Sequence, residues 1–183
     1  MAKGLADKAH TSVVFANKKI ETVNKIKNLV ETDYYHIFTS SDVDGVGVCA
    51  GIKNIFSMVI GTTKHLNTAA SLIQQSINEM IFFVNELNGK KETVIGLAGI
   101  GDLYVSADGG RNSKMGNYLG QGMTFTEAKN KKMPNETVEG ADLALEIGKK
   151  IKNDFGDKLP LMMSIINTIC DEKTLKIEWE KFK

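Results

Sequence analysis

The stretch DVDGVGVCAGIKNIFSMVIGTT, from Asp42 to Thr63, decides how this chain is read. Asp42 has a side chain that can accept from the free N–H groups of a helix start, so a helix is predicted from there to about Thr63. Val46, Cys49, Lys53, Phe56 and Ile60 are spaced three, four, three and four apart and fall on one stripe of that helix. The stripe is apolar except for the lysine in its middle, and Ala50 and Gly51 leave space beside it. Lysine is almost never fully buried without a partner, and burial lowers its pKa toward the range useful for acid or base chemistry at neutral pH. The other reading is a lysine that lays its stem on apolar surface and extends its amine to the helix edge. Periodicity leaves both open.

Upstream, Thr11 to Ala16 (TSVVFA) is a β-branched run that reads as a strand. Ile20, Val23, Ile26, Leu29 and Val30 follow at helical spacing, and Tyr34 to Thr39 (YYHIFT) reads as a second strand. Downstream the pattern is helical. One helix is predicted from Asn67 or Thr68 to about Leu87, another from near Thr137 to about Phe155, and a third from Leu161 to Cys170 with Pro160 in its first turn. A short helix is also expected after Thr174. The predicted fold is therefore mainly α, with residues 1–41 as a small strand-helix-strand unit and residues 42–183 as a helical domain.

Between these helices, Gly96, Gly99, Gly101, Gly109, Gly110, Gly116, Gly120 and Gly122 hold nearly half of the chain's 17 glycines. Glycine costs roughly 0.5 to 1 kcal/mol in a helix interior relative to alanine, so such density implies either turns or backbone approaching a ligand or another segment. Gly99 and Gly101 lack the strand-turn-helix setting of a dinucleotide loop. Asp102 follows them, and Arg111 with Asn112 follows Gly109 and Gly110 at what reads as a helix start. An arginine beside unpaired helix N–H groups suits a phosphate or carboxylate, but from these residues alone an ordinary turn with a solvated arginine and a satisfied aspartate is the simpler reading.

Composition narrows the function classes. In 183 residues, 23 Lys and Arg stand against 22 Asp and Glu, and a net charge of +1 offers no footprint for nucleic acid or anionic lipid. Cys49 and Cys170 form neither a disulfide framework nor a metal-ligand spacing, so no metal is expected. The longest apolar stretch is read as Leu159 to Cys170, too short for the roughly 20 residues of a membrane span. MAKGLADKAH carries Lys3, Asp7 and Lys8 with no apolar run behind, so no signal peptide and a cytoplasmic location are expected.

Four motifs in register, DVDGVGVCAGIKN (Asp42 to Asn54), GLAGIGDL (Gly96 to Leu103), GGRN (Gly109 to Asn112) and TVEG (Thr137 to Gly140), closely resemble the NAD(P)-dependent glycerol-3-phosphate dehydrogenases. The resemblance covers most of the chain. AKGLADKAHTSVVFA looks like that family's last Rossmann segment before a helical substrate domain of the 6-phosphogluconate-dehydrogenase C-terminal type. The GxGxxG loop and a second active-site lysine that precede it in the family are absent from these residues, so the chain is expected to be the C-terminal portion, as a cut piece or a split polypeptide.

The resemblance implies roles residue by residue. Lys53 would be the catalytic proton acceptor in oxidation and donor in reduction. Lys53, Asp102, Gly110, Arg111 and Asn112 would bind substrate, and Arg111, Thr137 and Glu139 would contact the cofactor, NAD or NADP. Asn54 and Ser106 are further candidates nearby. The implied chemistry is hydride transfer between NAD(P) and the secondary carbon of glycerol 3-phosphate, giving dihydroxyacetone phosphate and serving phospholipid biosynthesis. The implied partners are that substrate, a Rossmann half and a second copy in a homodimer.

Gly47 stands where the family usually has Glu, Asp44 where it has an apolar residue, Gln75 where it has Arg, and Gly110 where bacterial members often have Ser. The GTTKHLN stretch from Gly61 is about four residues shorter than its counterpart. Two alternatives follow: a non-catalytic helical interaction or assembly domain that kept the fold, and a dehydrogenase of similar build acting on a different phosphorylated or carboxylated hydroxy compound.

Overall fold

The computed structural model describes residues 2–182. The front of the chain is α1 (Ala2–Ala6), β1 (Thr11–Ala16), α2 (Ile20–Val30) and β2 (Tyr35–Ser40). β1 and β2 pair in parallel, with Thr11 opposite Tyr35 and Ala16 opposite Ser40. A parallel pair needs a crossover, and α2 supplies it. Of the apolar spacing predicted along α2, Val23 alone is buried, while Leu29 is 82% exposed.

The rest is helical. It comprises α3 (Val43–Gly61), α4 (Leu66–Glu86), α5 (Lys91–Ile95), a π-turn over Leu97–Gly101, α6 (Asp102–Ala107), α7 (Arg111–Gly120), α8 (Phe125–Lys132), α9 (Glu139–Phe155) and α10 (Pro160–Cys170). α3 is the hub and packs on α4, α6, α7, α9 and α10. Asp42 caps it as its sequence predicts, Oδ1 accepting from the Gly45 N–H at 3.0 Å. The same carboxylate reaches across the chain, its Oδ2 accepting from the Lys90 N–H at 2.9 Å and from the Thr93 hydroxyl, and so pins α5 to the start of α3.

Two expectations need correction. The predicted stripe on α3 is not a single buried face: every residue from Ile55 to Ile60 is buried, because helices surround its second half. The glycines explain how they come so close. A methyl on Gly116 of α7 would stand 1.9 Å from the Met58 carbonyl oxygen, and one on Gly140 of α9 would stand 2.5 Å from that of Asn54. In this stretch Gly109, at φ +80, instead supplies a turn ahead of α7. Second, α3 is itself long and apolar enough to cross a bilayer, with mean hydropathy 1.5, so Leu159 to Cys170 is not the longest apolar stretch. Half of that α3 window is buried inside the bundle, as the core helix of a folded domain would be.

α2, α3, α4, α9 and α10 begin and end within a few residues of their predicted limits, α9 starting at Glu139 rather than Thr137, and α7 begins at Arg111 where a helix start was read. The helix expected after Thr174 is confined to one turn at Trp179–Lys181. α1, α5, α6 and α8 were not predicted; α8 starts from a Thr124 hydroxyl that accepts from the Glu127 N–H, a cap spelled in the sequence as T-x-x-E.

Candidate functional site

Three segments converge beside the middle of α3. α3 itself brings Lys53 and Asn54, α6 brings Asp102 and Ser106, and the first turn of α7 brings Arg111 and Asn112 behind the capping Gly110. The start of α9 adds Glu139. Ala50, Lys53, Asn54, Ser106, Gly110, Arg111, Asn112 and Glu139 line one open cleft of about 390 Å³. All the residues singled out for substrate meet at this cleft or, as Asp102, on its rim through Lys53. Thr137 is exposed two residues before α9 and is not among the cleft's lining residues.

Lys53 is ion-paired with Asp102, and its side chain is 18% exposed. The structure thus lies between the two readings of the stripe: the amine is neither lost in the core nor free at the edge. It is fixed by a carboxylate carried on another helix. On the far side of Asp102 a second, mainly apolar cleft of about 510 Å³ runs between β1, the π-turn and α6. The Lys53–Asp102 pair therefore separates two spaces, one polar and one apolar.

The polar cleft is organised by Asn112, which is buried. Its Oδ1 accepts from the Gly140 N–H at 2.8 Å, which fixes the amide's orientation. Its Nδ2 then donates to Asn54 Oδ1 at 3.2 Å and to Glu139 Oε2 at 3.3 Å. The other Glu139 oxygen pairs with the Arg111 guanidinium. Gly110 caps α7 without a side chain, so the cap residue offers no side-chain acceptor to the free N–H groups of that helix start. An arginine fork beside a helix N-terminus binds phosphate-like anions through charge-assisted hydrogen bonds.

Burial acts on two neighbouring groups with opposite outcomes. The Cys49 thiol is pushed up to about 11 by burial first and then by the negative charges of Asp42 and Asp102, so it stays protonated and unreactive. For Asp42 burial works upward, but hydrogen bonds from Thr93, Gly45 and Lys90 outweigh it and hold the carboxyl below its usual range. That tie to α5 was not foreseen in the sequence. Asp42 is recognisable as a cap, but nothing local points to a loop 48 residues away.

A dinucleotide has two ends to be held. The β1-to-α2 connection is Asn17-Lys18-Lys19 and the β2-to-α3 connection is Ser41-Asp42, so neither strand-to-helix turn is a glycine loop that could cradle a pyrophosphate. Arg111 and Glu139 offer a charged fork and a carboxylate at the cleft, which could meet hydroxyl and amide groups at a nicotinamide end.

A family model described as the C-terminus of NAD-dependent glycerol-3-phosphate dehydrogenase matches residues 42–179. Over 168 residues the chain is 30% identical to an NADP(+)-dependent glycerol-3-phosphate dehydrogenase of Archaeoglobus fulgidus, covering 84% of this chain and 50% of that protein. It is 31% identical over 173 residues to a glycerol-3-phosphate dehydrogenase (NAD(P)+) of Agathobacter rectalis, covering 91% and 50%. The chain spans about half the length of these curated relatives. A solved glycerol-3-phosphate dehydrogenase from Coxiella burnetii superposes with a TM-score of 0.83 at 24% identity, over 95% of this chain and 55% of that one. The Saccharomyces cerevisiae enzyme gives 0.86 at 19% identity, over 100% and 57%. At such identities the likeness to solved structures shows the fold.

Proposed function

Since the chain belongs to the family of NAD-dependent glycerol-3-phosphate dehydrogenase C-terminal domains, we propose that it is the substrate-holding and proton-transferring part of an enzyme interconverting glycerol 3-phosphate and dihydroxyacetone phosphate. The observation that carries this reading is the Lys53–Asp102 pair standing at the edge of a cleft whose far wall is Arg111 and the α7 N-terminus. A phosphate gripped at Arg111 would direct the rest of a three-carbon chain toward Lys53.

In oxidation the Lys53 amine takes the proton of the secondary hydroxyl, and in reduction the ammonium returns it. Asp102 holds the amine in place and balances its charge. Asn112, oriented by Gly140, positions Asn54 and Glu139, which leave hydrogen-bonding groups facing the substrate and the nicotinamide ribose. A nicotinamide cofactor, NAD or NADP, when bound, would supply the acceptor for the hydride that leaves the same secondary carbon. Because this chain offers residues for one end of it only, a nucleotide-binding half from outside these residues completes the site. The assembled enzyme acts in the cytoplasm as a homodimer, feeding phospholipid biosynthesis.

The test is reconstitution. The 183-residue chain alone is expected to show no dihydroxyacetone phosphate-dependent NAD(P)H oxidation, since positioning the two reactants is worth about 7 to 11 kcal/mol of the barrier. Mixed with the separately expressed nucleotide-binding half of the Archaeoglobus fulgidus relative, it should turn over, and Lys53→Met should lower that turnover about a hundredfold or more. Turnover of the Met variant within a few fold of the parent would remove Lys53 from the mechanism. A reconstituted pair that binds but never turns over would favour the non-catalytic assembly domain.

A further inference from the structure

Far from the cleft, where α4 meets α10, lies a carboxyl group that the reaction does not use. Glu79 is 1% exposed and, among the described residues, is the only buried acidic side chain besides Asp42. Its Oε1 accepts from the Leu161 N–H at 2.7 Å and its Oε2 from the Met162 N–H at 2.8 Å. These are free N–H groups at the start of α10, whose own cap position, Leu159, has no side chain to offer them. Oε1 also accepts from Gln75 Nε2 at 2.9 Å, one turn back on α4. Gln75 lines a surface groove with Trp179 and Phe182, so its amide stands between Glu79 and solvent.

Among the described residues, no cation pairs with this carboxylate. Along α4, Glu86 is exposed; on the neighbouring α3, Asp44 is exposed, Cys49 stays protonated and Lys53 is taken by Asp102. Lys91 and Glu92 of α5, and Asp157 and Lys158 ahead of α10, are exposed. α10 itself carries only Cys170, at its opposite end. The ionisable groups of α9 are solvent-facing except Glu139 in the cleft, Glu127 and Lys131 of α8 pair with each other, and the tail's Glu178 pairs with Lys181. A buried carboxylate without a cation is costly, whereas a buried neutral acid needs only an acceptor for its O–H.

We propose that Glu79 is a proton-accepting latch between α4 and α10, able to hold the α10 N-terminus either as a carboxylate or as a neutral acid because Gln75 can present either end of its amide. With the carboxylate, Gln75 donates through Nε2. When Oε1 takes up a proton, the amide turns over, its oxygen accepts the new O–H and its NH₂ faces the groove, while Oε2 keeps the Met162 N–H. The remaining lone pair of the protonated Oε1 still faces the Leu161 N–H, so both N–H groups of α10 keep an acceptor in either state. Burial pushes the Glu79 carboxyl up to about 7 against the hydrogen bonds from Gln75, Met162 and Leu161 that favour the anion. The switch therefore lies in the physiological range. Since the folded state holds this proton at higher pH than the unfolded chain does, the latch is tightest below the ordinary glutamate value of 4.5 and weakens as pH rises through about 7.

The experiment uses the 183-residue chain, uniformly ¹³C-labelled, with the Glu79 side-chain carboxyl carbon followed by NMR from pH 5 to 9 and urea unfolding measured across the same range. Glu79 should titrate near neutrality, and the unfolding constant should rise by up to tenfold per pH unit between the ordinary value of 4.5 and about 7. Gln75→Arg, which puts a cation where the reversible amide stands, should lower the Glu79 midpoint by about one pH unit or more. Glu79→Gln should flatten the pH dependence of stability. If that variant fails to fold, the wild-type and Gln75→Arg titrations still decide the matter. A Glu79 carbon fully ionised across pH 5 to 9 would overturn the latch, and a midpoint unmoved by Gln75→Arg would overturn the role of the amide.

Discussion

In the front unit α2 and β2 bury Val23 and Ile37 but leave Leu29 82% and Phe38 58% exposed, whereas in α10 eight of eleven residues are buried. Both segments carry apolar residues at the period of their secondary structure, so the difference is not in the pattern but in what covers it. α10 lies against α9, α3, α4 and α8. The parallel strand pair has a crossover helix on one face and its hydrogen-bonding edges beyond the pair unfilled, although parallel strands normally sit deep in larger sheets. Periodicity specifies a face, and only the number of elements available decides whether that face becomes core. The helical body is thus expected to hold its fold from its own contacts, and the front unit to gain most from anything that extends its sheet.

The strongest way to strain that contrast is Phe56→Ala at the centre of α3. Phe56 is fully buried among helices that cannot collapse inward past their backbone contacts, so about 4 kcal/mol should be lost in urea unfolding. A cost below about 2 kcal/mol would mean that the body is looser than its packing. Asp42→Ala, at the junction of the two regions, removes a helix cap and leaves the Lys90 N–H and Thr93 hydroxyl unpaired, for a loss of about 2 kcal/mol. Its pH signature is opposite to that of Glu79. Asp42 is held below its ordinary value of 3.8, so its contribution is present above that pH and is lost as pH falls through the lower folded value. The gap between parent and variant should therefore stay constant near neutrality and close only in acid. The smallest effect belongs to the front: Leu29→Ser should change stability by less than about 0.5 kcal/mol. A loss of more than about 1 kcal/mol, dependent on protein concentration, would show that a second copy covers α2 in solution.

How far the sequence could be read follows from whether the deciding interaction is local. Asp42 and Pro160 mark the starts of α3 and α10 because caps and first-turn prolines act within one helical turn. α8 (FTEAKNKK) has no apolar stripe to reveal it, although its Thr124 to Glu127 cap was there to be found. In the site, the stripe singled out Lys53, but its pairing with Asp102, 49 residues on, was reachable only through the motifs shared with the family. Thr137 shows the converse: a motif neighbour of Glu139 need not share its cleft when the helix begins two residues later. The glycines stayed ambiguous because a turn and a close helix crossing require the same residue.

Those crossings bear on how the cleft tolerates time. Gly116 and Gly140 bring main chain against the carbonyls of Met58 and Asn54, so the spacing of α3 from α7 and α9 is fixed by atoms every residue possesses. Side chains elsewhere in the bundle can be exchanged without altering the distance between Lys53 and Arg111, which ride on those helices. The width of the cleft therefore depends on hydrogen atoms rather than on side chains, and Gly61 and Gly120, which meet Ser113 and Thr62 as closely, hold the same α3–α7 crossing.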